Sequence, residues 1–197
     1  MKKYRSLFIF SIIFISNTNY AFSVSPDVFI QSTVNRASQV LSENISKEEK
    51  INKLKNIAKE TVDISGVGFY SLGPFRKNLN DDQLKIYSNL FEMYFLKSFS
   101  SRLAEYSNPE IEVNSKKKLN EKYTMVSSIL VATEQRPEVK IDWRIYTKDP
   151  DNLLIRDLII EGLSLARTQK EEFSSIINSN DGKIEALLEN LSNFTSK

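Results

Sequence analysis

The sequence predicts an α+β domain in which a twisted antiparallel sheet of about four strands packs against N-terminal, central and C-terminal helices. Three observations carry this. Val139, Ile141, Trp143 and Ile145 alternate with Lys140, Asp142, Arg144 and Tyr146, the period of two of a strand with one buried and one wet face. Asp149-Pro150-Asp151-Asn152 then supplies turn residues between two apolar runs, so these strands pair antiparallel. Apolar residues recur at helical spacing on both sides of this region, giving the order helices, sheet, helices.

The first 23 residues read as a signal peptide. Lys2, Lys3 and Arg5 precede the apolar run Leu7 to Ile15, and a polar stretch ends in Tyr20-Ala21-Phe22-Ser23. The run falls short of the roughly 20 residues that span a bilayer, so cleavage is expected near Ala21 or Ser23. Residues 24–197 then form a single domain, long enough for a substantial core. Losing the signal leaves 24 basic against 25 acidic residues. No basic field that argues for nucleic acid remains, and Lys116-Lys117-Lys118 reads as a solvated loop. The chain has no cysteine and no histidine. Packing alone must hold it, and Ser-His-Asp chemistry and Cys/His metal sites are unavailable.

Ser25-Pro26 starts the first helix, since proline at its first position loses no bonded donor. Phe29, Thr33, Val34, Ala37, Val40 and Leu41 form its apolar stripe. Ser46 and Glu49 make a capping box for a second helix, with Ile51, Leu54, Ile57, Ala58 and Val62 on one face. Asp63 to Gly73 holds three of the five glycines and reads as a short buried helix that packs closely. Asn80 and Gln83 cap the longest helix, running to Tyr106, with Leu84, Tyr87, Phe91, Tyr94, Phe95, Phe99, Leu103 and Tyr106 inward. Ile86, Leu90, Met93 and Leu96 widen that apolar surface, which predicts burial on two sides, either as a central core helix or with one flank on the sheet and the other lining a cavity. Strands are expected over Glu110 to Val113, Tyr123 to Thr133, Val139 to Tyr146 and Leu153 to Ile160. Helices over Ser164 to Ser179 and Lys183 to Leu191 close the chain.

Several of these residues, taken in order, resemble the MlaC family of phospholipid carriers, also called toluene-tolerance or ABC-transporter auxiliary proteins. Asp63, Leu72-Gly73, Phe75-Arg76-Lys77 and Gln83 are similar to the family's short helix and the aromatic-basic turn before its long helix. Leu153-Leu154-Ile155-Arg156-Asp157 keeps only the aspartate and the apolar pattern of a family strand. Glu161-Gly162-Leu163-Ser164-Leu165 matches a family pattern closely and is read as the opening of the next helix. Lys170 and Phe173 fall on basic and aromatic family positions.

The resemblance implies a periplasmic carrier that holds phospholipid tails in an apolar pocket and moves lipid between inner and outer membranes. Its implied partners are phospholipid, an inner-membrane ABC transporter with a lipid-binding ring, and an outer-membrane lipoprotein complex. It implies no enzymatic activity, no metal and no cofactor besides the lipid cargo, and a monomer. The candidate pocket walls are Val67, Phe69, Leu72, Phe91, Phe95, Phe99, Ile129, Val131, Ile141, Trp143, Ile160, Phe173 and Ile177. Tyr70, Arg76, Lys77, Tyr146 and Lys170 are candidates for the mouth and head group. The alternative is an exported adaptor whose apolar groove binds a protein or peptide. The paired acids Asp81-Asp82, Asp149 with Asp151, and Glu171-Glu172 lie at a helix start, a turn and a helix face, where solvated carboxylates belong; they make a weak case for hydrolysis.

Overall fold

The computed structural model describes residues 23–134 and 136–196, so the expected signal peptide lies almost wholly outside the described residues. Helices α1 (Pro26–Ser42), α2 (Lys47–Thr61), α3 (Ile64–Ser71) and α4 (Asp81–Leu103) precede a five-stranded antiparallel sheet. Its strands are β1 (Ile111–Lys118), β2 (Tyr123–Leu130), β3 (Val139–Tyr146), β4 (Leu154–Ile160) and β5 (Leu163–Ser164), in sequential order. Helices α5 (Leu165–Asn178) and α6 (Ile184–Ser196) follow. No described helix is long and apolar enough to cross a membrane.

Both capping boxes form. The Ser46 hydroxyl accepts from the Glu49 amide and the Asn80 side chain from the Gln83 amide, each reciprocated by the third residue's own side chain. Asp63 caps α3 by accepting from the Gly66 amide at 2.7 Å. The long helix stops at Leu103, three residues early, and Tyr106 lies exposed under the Arg136 guanidinium, 5.4 Å from the ring centre. The last helix runs on to Ser196, five residues past its expected end.

Three expectations for the sheet need correction. Lys116-Lys117-Lys118 is the end of β1 and not a loop; an outer strand with wet faces shows no alternation to read. The second strand ends at Leu130, and Thr133 lies beyond it in an isolated bridge to Arg136. A fifth, two-residue strand exists because Glu161-Gly162 does not open a helix. Both residues have positive φ, 49° and 83°, and turn β4 back on itself so that Ile160 pairs with Leu163. Ser164 then ends β5 and caps α5 by accepting from the Arg167 amide at 3.1 Å.

One face of the sheet is covered by α1. Val126, Leu130, Ile141, Trp143, Ile145 and Ile155 pack with Ile30 and Val34. Trp143 satisfies its buried indole N–H on the Ser128 hydroxyl at 2.8 Å, which in turn donates to the Ile141 carbonyl. The helices α3, α4, α5 and α6 enclose a second cluster of Val67, Leu72, Tyr87, Phe91, Phe173, Ile177, Leu187 and Leu191. A third joins Val40 and Leu41 of α1 to Leu54 and Ile57 of α2. The principal neighbours of α4 are α2, α3 and α6. Of the two readings of its broad apolar surface, the neighbours match the central core helix, packed by helices and not by the sheet.

Polar bonds tie the helical layer to β4. The Asp157 carboxylate, 5 % exposed, accepts from the Ser164 hydroxyl at 2.7 Å and the Ala166 amide at 3.1 Å, and lies 3.4 Å from the Arg144 guanidinium. A negative charge thus sits at the N-terminus of α5, where the helix dipole favours it. Asp63 pairs with Arg156 at 2.5 Å and donates its amide to the Ile155 carbonyl at 3.0 Å. Gly66 leaves room for that guanidinium, since a Cβ there would stand 2.5 Å from it.

Three outcomes follow for urea unfolding. Phe173→Ala empties the middle of the helical cluster and should cost about 3–5 kcal/mol, whereas Phe69→Ala, on an exposed site, should cost less than about 1 kcal/mol. Asp157→Ala leaves Ser164, Ala166 and Arg144 without their shared acceptor and should cost about 2–4 kcal/mol. A loss below about 1 kcal/mol at either Phe173 or Asp157 contradicts the packing described.

Candidate functional site

The predicted wall residues fall into two groups with a layer boundary between them. Val67, Leu72, Phe91, Phe173 and Ile177 belong to the helical cluster, and Phe95 packs on its border. Phe99 extends the same row by stacking on Phe95, with ring centres 5.5 Å apart. Ile141 and Trp143 belong instead to the core between the sheet and α1. Ile160 and Val131 are half-buried near strand ends, and Ile129 is half-buried on the sheet face opposite Val126 and Leu130. Phe69 is 39 % exposed and borders a narrow cleft between α3 and α4.

The helical group is a ladder of rings. Tyr87, Phe91, Phe95 and Phe99 recur every four residues along α4, with successive ring centres 5.7, 6.2 and 5.5 Å apart. Phe173 meets Phe91 and Tyr87 edge-on at 6.1 and 6.4 Å. The Tyr87 hydroxyl donates to the Gly68 carbonyl at 2.9 Å, and burial pushes its phenol far above the ordinary value. Burial, reinforced by Glu172, raises Tyr94 as well, although its hydroxyl reaches Gln169 at 2.9 Å. Gly68 is what lets α3 approach the ladder, because a Cβ there would come within 2.7 Å of the Phe91 ring.

These walls touch one another. The cleft lined by Ile64, Ser65, Gly68, Phe69, Tyr87, Ser88, Phe91 and Glu92 has a free volume of about 10 Å³, room for one water at most. Two larger hollows are shallow and polar. One lies between α1 and β1, the other between α5 and α6. The helical and sheet cores meet at Val62, which packs against both.

The predicted mouth residues divide between the two ends of α3, which at 1.5 Å per residue is about 12 Å long. At its C-terminal end the Lys170 ammonium lies 5.5 Å from the Tyr70 ring centre, and its stem fills the space beside Gly73. Arg76 and Lys77 are exposed on the 3-10 turn that follows, and Phe75 packs against the helical cluster. None of the three basic residues has an ion-pair partner among the described residues. At the other end, Tyr146 lies under the Arg156 guanidinium, 5.0 Å from the ring centre.

Sequence reasoning passed over Arg156 as a site residue. It joins the sheet, α3 and Tyr146, and its buried Nε has no hydrogen-bond partner. The available signal was its position, a lone arginine on an apolar strand. Among the described residues no three acidic groups cluster as a metal site would require.

The fold is shared with a phospholipid-binding protein from Ralstonia solanacearum, whose structure was determined in complex with a phospholipid. The TM-score is 0.73 at 17 % identity, covering 88 % of this chain and 98 % of that one. No curated protein matches by sequence. The family model of the MlaC protein matches residues 31–193, from the first helix to the last, and the chain belongs to the MlaC family.

Proposed function

We propose that this protein binds phospholipid and carries it across the periplasm between inner and outer membranes, as the soluble component of an Mla-type ABC transport system. The observation that carries this reading is family membership across 31–193, joined to a fold held in common with a protein that binds phospholipid. The need for a carrier is physical. Two acyl chains with about 30 methylenes cost on the order of 24 kcal/mol to expose to water, at about 0.8 kcal/mol each. Transfer from one apolar medium to another is nearly neutral, so a carrier has only to keep the tails dry.

The chain's own residues suit that task in a specific way. Tail accommodation calls for a cavity near 1,000 Å³, and the α4 ladder supplies apolar wall on a helical layer whose packing is largely internal. Parting α3 and α5 from β4 opens a seam that both cores border at Val62, and the α4 rings line it only where α3 also draws back from Phe91. The bonds across the seam are polar and few, Asp63 to Arg156 and Asp157 to the start of α5. Lys170, Arg76 and Lys77, free of carboxylate partners, would meet the phosphate by charge-assisted hydrogen bonds. Nothing in this role requires a bond in the lipid to be made or broken.

Mass spectrometry on protein purified without added lipid should find about one phospholipid per chain, consistent with a single seam; its repeated absence after gentle extraction contradicts carriage. Lys170→Ala combined with Arg76→Ala and Lys77→Ala should lower the share of anionic head groups in the bound lipid while the chain stays folded. A lipid profile identical to that of the unsubstituted protein removes these residues from the mouth.

A further inference from the structure

The outer edge of β1 is not empty. The Val131 amide donates to the Glu110 carbonyl at 2.9 Å, which fixes the hydrogen-bonding phase of the β1–β2 ladder. Ile111 and Val113 consequently turn their backbone groups away from β2. The Gln31 side chain of α1 meets both of them. Its Nε2 donates to the Ile111 carbonyl at 3.4 Å, and its Oε1 accepts from the Val113 amide at 3.3 Å. Asn35, one turn along, holds the same Nε2 at 2.9 Å. One carboxamide thus makes the pair of bonds that an added strand would make at this place. It does so in an open groove of about 580 Å³ between α1 and β1.

Charge along β1 shows what the edge would accept. The ladder slips at Asn114, so Glu112 opposite Ile129 and Lys117 opposite Met125 lie on one face of the sheet. Both are exposed and neither has an ion-pair partner among the described residues. An antiparallel two-fold pairing centred between Asn114 and Ser115 sets Glu112 across from Lys117 of a second copy, and the reverse, so the contact closes on itself. The same register brings the outward backbone groups of Val113 and Lys116, and of Ile111 and Lys118, into bonding position. No described strand occupies this edge.

We propose that Gln31 stands in for a sixth strand, and that withdrawing it frees β1 to pair antiparallel with β1 of a second copy of this chain. The slip at Asn114 and the lysines beyond it are the other familiar guards of an exposed edge, which leaves Gln31 as the guard over the stretch most ready to pair. This inference does not rest on lipid carriage.

Sedimentation over a range of protein concentrations tests it. The unsubstituted protein should be monomeric, and Gln31→Ala should tighten self-association by roughly tenfold or more, the scale of two competing hydrogen bonds. Adding Glu112→Lys should abolish the dimer, and adding Lys117→Glu to that variant should restore it. Gln31→Met, which keeps the length of the side chain without its bonding groups, repeats the readout should alanine loosen α1. The proposal is overturned if both Gln31 variants stay folded and as monomeric as the parent, or if a dimer forms that ignores the charge exchange. Capture of an extended segment of another protein with no self-association would likewise overturn it.

Discussion

The ring ladder of α4 against Phe173 holds the helices to one another, and much else depends on that cohesion being internal. Tyr87 and Phe91 meet Phe173 inside the helical cluster, Phe95 packs on its border and Phe99 stacks on Phe95. The sheet, for its part, buries its apolar face against α1. The domain therefore has a helical core and a sheet core joined by polar bonds on β4, with the smaller α1–α2 cluster, against which Leu103 and Ala104 pack, as a second joint. A single interdigitated core resists local opening because every contact fails together. Two cores with a shared border allow one layer to move as a unit, and a lipid carrier needs such a boundary.

The seam explains why charged residues sit so deep. Asp157 is nearly buried, yet its oxygens are engaged by Ser164, Ala166 and Arg144. Asp63 caps α3 and binds Arg156 with the same carboxylate. Such links fix direction and register, whereas apolar contact between the layers would only add adhesion. The cost is exposure of paired charges when the layers part, which water repays by solvating them.

Much of this was legible in the residues. Capping boxes at Ser46 and Asn80 gave helix starts to the residue, because they depend on side chains three positions apart and on nothing distant. The alternation in β3 survived for the same reason. The polar end of β1 was not legible, since Lys116 to Lys118 carry no periodicity when both faces are wet. Glu161-Gly162 was misread because glutamate seldom takes a positive φ, and only the pairing of Ile160 with Leu163 shows why it does here. The aromatic surplus of α4 announced burial without saying against what. That choice is made by α3 and α6, whose contributions, Gly68 above all, look unremarkable in a linear string.

The same limit applied to the site. Periodicity identifies residues that face inward without saying which core each enters: Phe91 lies in the helical core, Ile141 and Trp143 in that of the sheet. The most direct test of the two-core account is a distance between those cores. The cysteine-free chain permits spin labels at two introduced cysteines alone, Asn89→Cys on α4 and Lys140→Cys on β3, both on exposed sites. Pulsed dipolar spectroscopy should show the separation lengthen when the protein is loaded with phospholipid and shorten when it is stripped. An unchanged distance with phospholipid demonstrably bound would mean that tails lodge elsewhere, and the seam would lose its role.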